Sequence, residues 1–412
     1  MAESAPDPAI TQNVPDQPGP DHLARALGKQ LSLASRSVHA DDYINNHQAV
    51  APPMHVSTTF RYSRNPDDLV SWENVNPNAP FDSHIYSRDS APNTTRLEAI
   101  LTSLLGAPTL TYASGLAAFH ALLVYLNPRR VALAGGYHGS HGVLALLRKL
   151  TGLEVLSLTS PADLARLAPG DVIHVETPVN PTGEARDLAF YRRLADAKGC
   201  RLTVDATFAP PPLMDPFAFG ADAVVHSGTK YFGGHSDMLC GTVSVRDGGW
   251  LEGLREERLV IGGVMGSLEG WLGVRSLRTL ELRVVRQSAS AQRLVDWLVG
   301  DEEAGEYVER VQHASQQPEA KEEGSWLRKQ MPRGYGPVFA LFMKDAEQAK
   351  RLPSKLHLFH HATSLGGVES LIEWRAMSDK GCDKRLLRIS VGVEGWEDLR
   401  DDLLQGFRAM KA

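Results

Sequence analysis

Two residues carry the strongest chemical signal in the 412-residue chain. Asp205 closes the run Leu202-Thr-Val-Asp205, and Lys230 closes Ser227-Gly-Thr-Lys230 after Ala223-Val-Val-His226. Each follows an apolar stretch that reads as a buried strand, and in open α/β sheets ligands collect beyond the carboxyl ends of strands. A lysine there can form a Schiff base with an aldehyde cofactor. A carboxylate on the neighbouring strand can then hold a protonated ring nitrogen and keep the ring an electron sink. The same pair could also be a structural ion pair at a sheet edge, and spacing alone leaves both open.

Ser227 and Thr229 stand next to the lysine, where their hydroxyls could hold a phosphate. Singly they are ordinary turn residues. A second phosphate contact is offered by Ala113-Ser-Gly-Leu-Ala-Ala, where a strand passes through Gly115 into a helix N-terminus whose free N–H groups and dipole attract anions. A lysine, a carboxylate and a phosphate cradle together suit pyridoxal phosphate (PLP).

The elements that must position these residues alternate. Short apolar runs at Val131–Ala134, Glu154–Leu158, Asp171–Glu176, Leu202–Asp205, Ala223–His226 and Thr242–Val245 read as strands. Helical stretches at Thr95–Gly106, Gly115–Tyr125, His141–Lys149 and Leu188–Lys198 lie around and between them. Buried strands alternating with helices predict an α/β fold with a mostly parallel sheet covered on both faces. A periodic segment from Gly273 to Leu298 predicts one connecting helix. Strands at Tyr307–His313, Val338–Met343 and Arg388–Val393, with helices at Glu322–Met331 and Glu397–Met410, predict a smaller C-terminal α+β domain. The expected boundaries are a tail over 1–20, a short helix (Asp21–Arg36) and extended arm over 21–85, a large domain over 86–272, and a C-terminal domain over 273–412. The first twenty residues hold five prolines, three acidic residues and no basic one, a composition that predicts disorder.

Composition narrows the function. Hydrophobic residues make up 42% and charged residues 22%, and the net charge of −6 comes without any Lys/Arg block, so neither a nucleic-acid surface nor an anionic-membrane surface is expected. No run approaches the ~20 apolar residues of a membrane span. The start lacks the basic and apolar parts of a secretory signal, and three scattered cysteines form no CxxC pair, which together predict a cytoplasmic protein. No HExxH or Cys/His cluster predicts a metal. His138, His141 and the pair His360-His361 read as loop or packing residues. A nicotinamide-dependent oxidoreductase would need G-x-G-x-x-G, which neither Gly135-Gly-Tyr-His-Gly nor Gly262-Gly-Val-Met-Gly supplies.

Seven segments then fall into one order: Tyr86-Ser-Arg, Tyr112-Ala-Ser-Gly-Leu-Ala-Ala, Glu176-Thr-Pro-Val-Asn-Pro-Thr, Val204-Asp-Ala-Thr-Phe, His226-Ser-Gly-Thr-Lys-Tyr, Ser364-Leu-Gly-Gly-Val-Glu-Ser and Arg388-Ile-Ser-Val-Gly-Val-Glu. In this the chain resembles the Cys/Met-metabolism family of PLP enzymes, which includes cystathionine γ-synthase, cystathionine lyases, methionine γ-lyase and O-acetylhomoserine sulfhydrylase. The resemblance runs from about residue 40 to the end and implies the type I PLP-dependent transferase fold. It also implies roles. Lys230 would carry the cofactor and, once released, shuttle protons. Asp205, with Thr207 beside it, would pair with the ring nitrogen. Ser227, Thr229 and the backbone of Gly115 and Leu116 would bind phosphate. Tyr137 would stack on the ring, and Asn180 would sit near its phenolic oxygen on the substrate side. Arg388 would grip the substrate α-carboxylate in a bidentate pair, with Ser364 alongside. Tyr86 and Arg88 would reach the phosphate of a neighbouring subunit in a homotetramer of two active dimers. Tyr137 or Tyr86 could assist the leaving group.

Three departures bear on the substrate. Asp89-Ser-Ala-Pro-Asn-Thr-Thr replaces the familiar Gly-Asn-Pro-Thr turn, an Asp/Asn/Pro-rich insert occupies 67–84, and Thr363 stands where lyases often have Glu. They suggest a divergent, fungal-type member. The expected reaction is γ-replacement on an O-acyl-L-homoserine, through a vinylglycine-type intermediate that accepts a thiol or carbon nucleophile. The alternative is a cystathionine β- or γ-lyase.

Overall fold

The computed structural model describes residues 22–44, 49–74 and 84–410. The 1–20 tail and positions 75–83 of the insert lie outside them. The first sheet has seven strands: β1 (Thr109–Tyr112), β2 (Arg130–Leu133), β3 (Glu154–Ser157), β4 (Val172–Glu176), β5 (Arg201–Asp205), β6 (Ala223–His226) and β7 (Gly241–Val245), in the order β1-β7-β6-β5-β4-β2-β3. Only β7 runs against the rest. The central strands are buried along most of their lengths, which is why their sequences read as continuous apolar runs rather than alternating ones. Because β1, β2, β4, β5 and β6 are parallel, the residues that follow each of them gather along one edge.

The second sheet contains β8 (Val308–Gln312), β9 (Val338–Met343), β10 (His360–His361), β11 (Leu371–Trp374) and β12 (Leu386–Ser390), ordered β10-β11-β12-β9-β8. It is antiparallel except for the β10–β11 pair. The helix Leu280–Gly300 packs one face into this domain through Ala291, Leu294, Val295 and Leu298. The same helix supports the loop after β10, because Gln287 donates to the Gly367 carbonyl at 2.6 Å.

Several expected elements are corrected. The single helix expected at Asp21–Arg36 is two, His22–Leu27 and Leu33–His39; Gly28 turns left-handed at φ 60° and Ser32 caps the second. The single connecting helix is also two, Ser267–Leu277 and Leu280–Gly300. At that break the Ser276 carbonyl leaves the helical ladder and accepts from the Thr279 amide, the Thr279 hydroxyl and Arg283 at 2.9–3.3 Å. The helix expected at Glu322–Met331 is a pair of short turns, Pro318–Lys321 and Trp326–Gln330, separated by Gly324 at φ 74°. The strand placed at Arg388–Val393 lies earlier, at Leu386–Ser390. Strands β10 and β11 had no counterpart in the sequence reading.

Among its described residues, the arm carries two 3-10 turns, Pro66–Asp68 and Trp72–Asn74, and is held at few points. Asn93 receives the His55 amide at 2.8 Å and donates to the Pro53 carbonyl at 2.9 Å. Trp271 donates to the Pro52 carbonyl at 2.9 Å. Val50, Met54, Val56 and Tyr62 along it are exposed.

Candidate active site

The carboxyl edge of the first sheet builds one wall of a cavity of about 440 Å³, and the loop after β10, β12 and the turn after β11 build the other. On the sheet side, β4 and β5 place Glu176 and Asp205 directly opposite each other in register. The segment after β6 supplies Ser227, Thr229 and Lys230, and the segments after β1 and β2 supply Gly115, Leu116 and Tyr137. On the far side stand Thr363, Ser364 and Arg388.

Lys230 reaches across the cavity to donate to the Ser364 hydroxyl at 2.9 Å. Burial, joined by the positive charge of Arg388 and opposed by Glu373, lowers its amine to about 8. Ser364 holds its position at φ 77°, a left-handed conformation that few non-glycine residues adopt. Gly366, at φ 81°, lets this loop lie on the lysine backbone: a Cβ there would meet the Lys230 carbonyl carbon at 3.0 Å.

Asp205 accepts the Thr207 amide at 2.9 Å and makes no ion pair among the described residues. Its carboxyl is raised by burial against the lowering effect of Thr207. Glu176 is raised too, by burial and by the Asp205 charge, although it accepts the Tyr137 and Asn180 amides at 2.7 and 2.6 Å. The Thr207 hydroxyl in turn accepts the Ser227 amide at 2.9 Å, so the segments after β5 and β6 are tied at this edge.

The residues present fit pyridoxal phosphate. Asp205 is a half-buried carboxylate facing the cavity with no cation paired to it among the described residues, the partner a protonated ring nitrogen requires. At the phosphate end, the N-terminus of the helix Gly115–Leu126 lies against Ser227 so closely that a Cβ on Gly115 would meet the Ser227 Cβ at 2.9 Å. The hydroxyls of Ser227 and Thr229 and the first turn of that helix line the same end. Ser114 caps the helix through the Ala117 amide at 3.1 Å, leaving the Gly115 and Leu116 amides outside the ladder.

Arg388 is buried on β12. It donates to the Asn180 side-chain oxygen at 3.2 Å and to the Ser364 carbonyl at 2.9 Å, and it pairs with Glu373 at 2.7 Å. Asn180 thus stands at the arginine as well as lining the cavity. Tyr86 and Arg88 do not line this chain's own cavity: Tyr86 is exposed, pairs in a short bridge with Thr59, and carries the Arg88 guanidinium 5.3 Å above its ring.

Sequence reasoning did not single out several cavity residues. Glu176 was visible only as the first residue of a motif, although its place at the carboxyl end of β4 was a usable signal. His138 lines the cavity instead of serving only as a loop residue. Arg375 and Ser378 follow a strand that was not recognised, and nothing in their spacing marks them. His141, read from the sequence as a loop or packing residue, lies in the first turn of the helix His138–Thr151 and donates from Nε2 to the Gly135 carbonyl at 2.8 Å. Among the described residues no cluster of His, Cys, Asp and Glu could hold a metal, and no helix is long and apolar enough to cross a membrane.

Comparison with known proteins places the chain in a family. The family model described as Cys/Met metabolism PLP-dependent enzyme matches residues 34–408. The chain is 31% identical to cystathionine gamma-lyase of Saccharomyces cerevisiae over 93% of its length and 98% of that protein. It is 33% identical to cystathionine gamma-synthase of Escherichia coli over 92% of its length and 98% of that protein. Among solved structures, a methionine gamma lyase from Micromonospora echinospora superposes with a TM-score of 0.80 at 33% identity, covering 92% of this chain and 99% of that one. With the type I fold, the lysine and its carboxylate in place, the chain belongs to the Cys/Met-metabolism family of PLP-dependent enzymes.

Proposed function

We propose that this enzyme performs γ-replacement on an O-acyl-L-homoserine, with a thiol or a stabilised carbanion as incoming nucleophile. The observation that carries the reading is Thr363: the cavity wall beside Ser364 presents an uncharged hydroxyl where the resemblance leads one to expect the Glu of many lyases. A threonine side chain, shorter than glutamate and neutral, leaves room there for a second reactant.

The cofactor, when bound, supplies an electron sink for charge developing on the amino-acid carbons. The remaining work falls to the chain. Arg388, held by Asn180, Ser364 and Glu373, orients the substrate through its carboxylate. Lys230, with its amine lowered to about 8, is suited to both take and return a proton near neutral pH. Serving γ-chemistry, it removes protons at Cα and then Cβ, and Ser364 fixes where it waits between them. Tyr137 stands at the cavity wall, where its phenol can meet a departing acyloxy group. Tyr86 and Arg88, outside this chain's cavity, are read as phosphate ligands of a neighbouring subunit in a cytoplasmic homotetramer.

Elimination is the competing reading, since a cystathionine gamma-lyase is among the relatives. A substrate panel of O-acetylhomoserine, O-succinylhomoserine and cystathionine, each with and without a thiol, separates the two by mass spectrometry. The proposal expects a new γ-substituted amino acid that depends on the nucleophile. Keto acid and ammonia from cystathionine, unaffected by added nucleophile, would contradict it.

A further inference from the structure

The wall that holds Arg388 contains a second buried guanidinium. Arg375 follows β11, lines the same cavity, and is as deeply buried as Arg388. The two arginines share one carboxylate oxygen: Glu373 Oε2 lies 2.7 Å from Arg388 and 2.9 Å from Arg375. This follows from register, because β11 and β12 pair Glu373 directly with Arg388. Ser378 donates to the other carboxylate oxygen at 2.6 Å. The Nε of Arg375 is buried without a hydrogen-bond partner, an unusual state for a guanidinium atom.

A charge count gives this arrangement meaning. Glu373 alone would neutralise Arg388, and a neutral pair is a poor receptor for a carboxylate. With Arg375 on the same oxygen, the three buried groups carry a net charge of about +1. Asp379 approaches Arg375 at 3.5 Å from the outer side, but its side chain is 35% exposed and its effect is screened by solvent. Electrostatics agree with the geometry. Burial raises the Glu373 carboxyl, yet Arg388, Ser378 and Arg375 outweigh it and hold it below the usual range. Burial also lowers Arg388, and Arg375 lowers it further, so the two cations feel one another.

We propose that Arg375 is a positioning residue for substrate recognition: by occupying Glu373, it leaves Arg388 with the positive charge that binds the amino-acid carboxylate. The inference rests on the reading of this cavity as an amino-acid site, but not on whether the reaction is replacement or elimination. Arg375 acts through Glu373 and need not touch the substrate.

The test uses the full-length, PLP-loaded enzyme and the equilibrium binding of two probes, followed by the absorbance change of the cofactor. L-norvaline carries the carboxylate, and n-butylamine lacks it. Arg375→Gln should weaken L-norvaline binding on the order of tenfold, the effect of one nearby buried charge, and leave n-butylamine within about twofold. Adding Glu373→Gln to Arg375→Gln removes the neutralising carboxylate and should restore L-norvaline binding to within about threefold of wild type. Arg375→Lys keeps the charge and should also stay within about threefold, which keeps the proposal falsifiable if Arg375→Gln does not fold. Equal losses for both probes, no recovery in the double variant, or a tenfold loss in Arg375→Lys would overturn the proposal while leaving the amino-acid site intact. Wild-type enzyme that binds n-butylamine as tightly as L-norvaline would overturn the amino-acid reading and this inference with it.

Discussion

Arg388→Gln should raise the pKa of Lys230, and the structure fixes the sign of that shift. In the folded chain the lysine is lowered to about 8, first by burial and then by the Arg388 charge. At pH 7 a lysine of pKa about 8 is roughly 9% free base, whereas an ordinary lysine near 10.4 is only about 0.04% free base. The wild-type amine should therefore react at pH 7 on the order of two hundred times faster than an exposed lysine of equal intrinsic nucleophilicity. Replacing Arg388 removes one lowering influence and leaves Glu373, which acts to raise the amine. Both changes push in one direction. The assay is competitive acetylation of cofactor-free protein across pH, with the extent of modification read by mass spectrometry on the Lys230 peptide and on exposed lysines. Wild type should inflect near 8 and the variant above it. A wild-type inflection near 10.4, or a downward shift in Arg388→Gln, would refute the electrostatic account of the lysine.

Two further perturbations address the cofactor end. Gly115→Ala places a Cβ 2.9 Å from the Ser227 Cβ, so the helix N-terminus must move away from the phosphate cradle. The variant should lose about 1–3 kcal/mol of stability and retain less PLP on dialysis, whereas full retention would detach Gly115 from the cradle. The raised carboxyl of Glu176 sets the second expectation. A group whose folded pKa is raised stabilises the fold below its unfolded value and loses that contribution as pH rises through the folded value. Cofactor-free protein should therefore lose this contribution between pH 4.5 and about 7, in the direction that acid favours the fold. Glu176→Gln should flatten that part of the melting-temperature profile, and an unchanged slope would show that Glu176 does not titrate there.

The sheet side of the site was legible in the sequence because its strands are short, buried and parallel. β5 ends in Asp205 and Lys230 lies shortly after β6, so a run such as Leu202–Asp205 reveals element and function together. The helix N-terminus at Gly115 was legible for the same reason, since Ser-Gly before an apolar stretch is a local signal. The far wall was harder. Arg388 came from the resemblance, and the strand around it was placed a few residues late because Val391 and Val393 continue its apolar pattern beyond the last ladder residue. Strand β11 is four residues long, and its Glu373 breaks the apolar run. The pairing of Glu373 with both arginines is a product of sheet register and has no signature along the chain. The breaks at Gly28, Thr279 and Gly324 show the other limit: apolar spacing continued across them, while backbone hydrogen bonding did not.

Hydrogen exchange at carbon tests the central claim most directly. L-norvaline binds like the substrate but has no leaving group, so in deuterated water only proton transfer can be observed. If Lys230 removes protons at both Cα and Cβ, the PLP-loaded enzyme should introduce deuterium at both carbons, and Lys230→Ala should abolish both exchanges. Exchange confined to Cα in the wild-type enzyme would contradict γ-chemistry at this site.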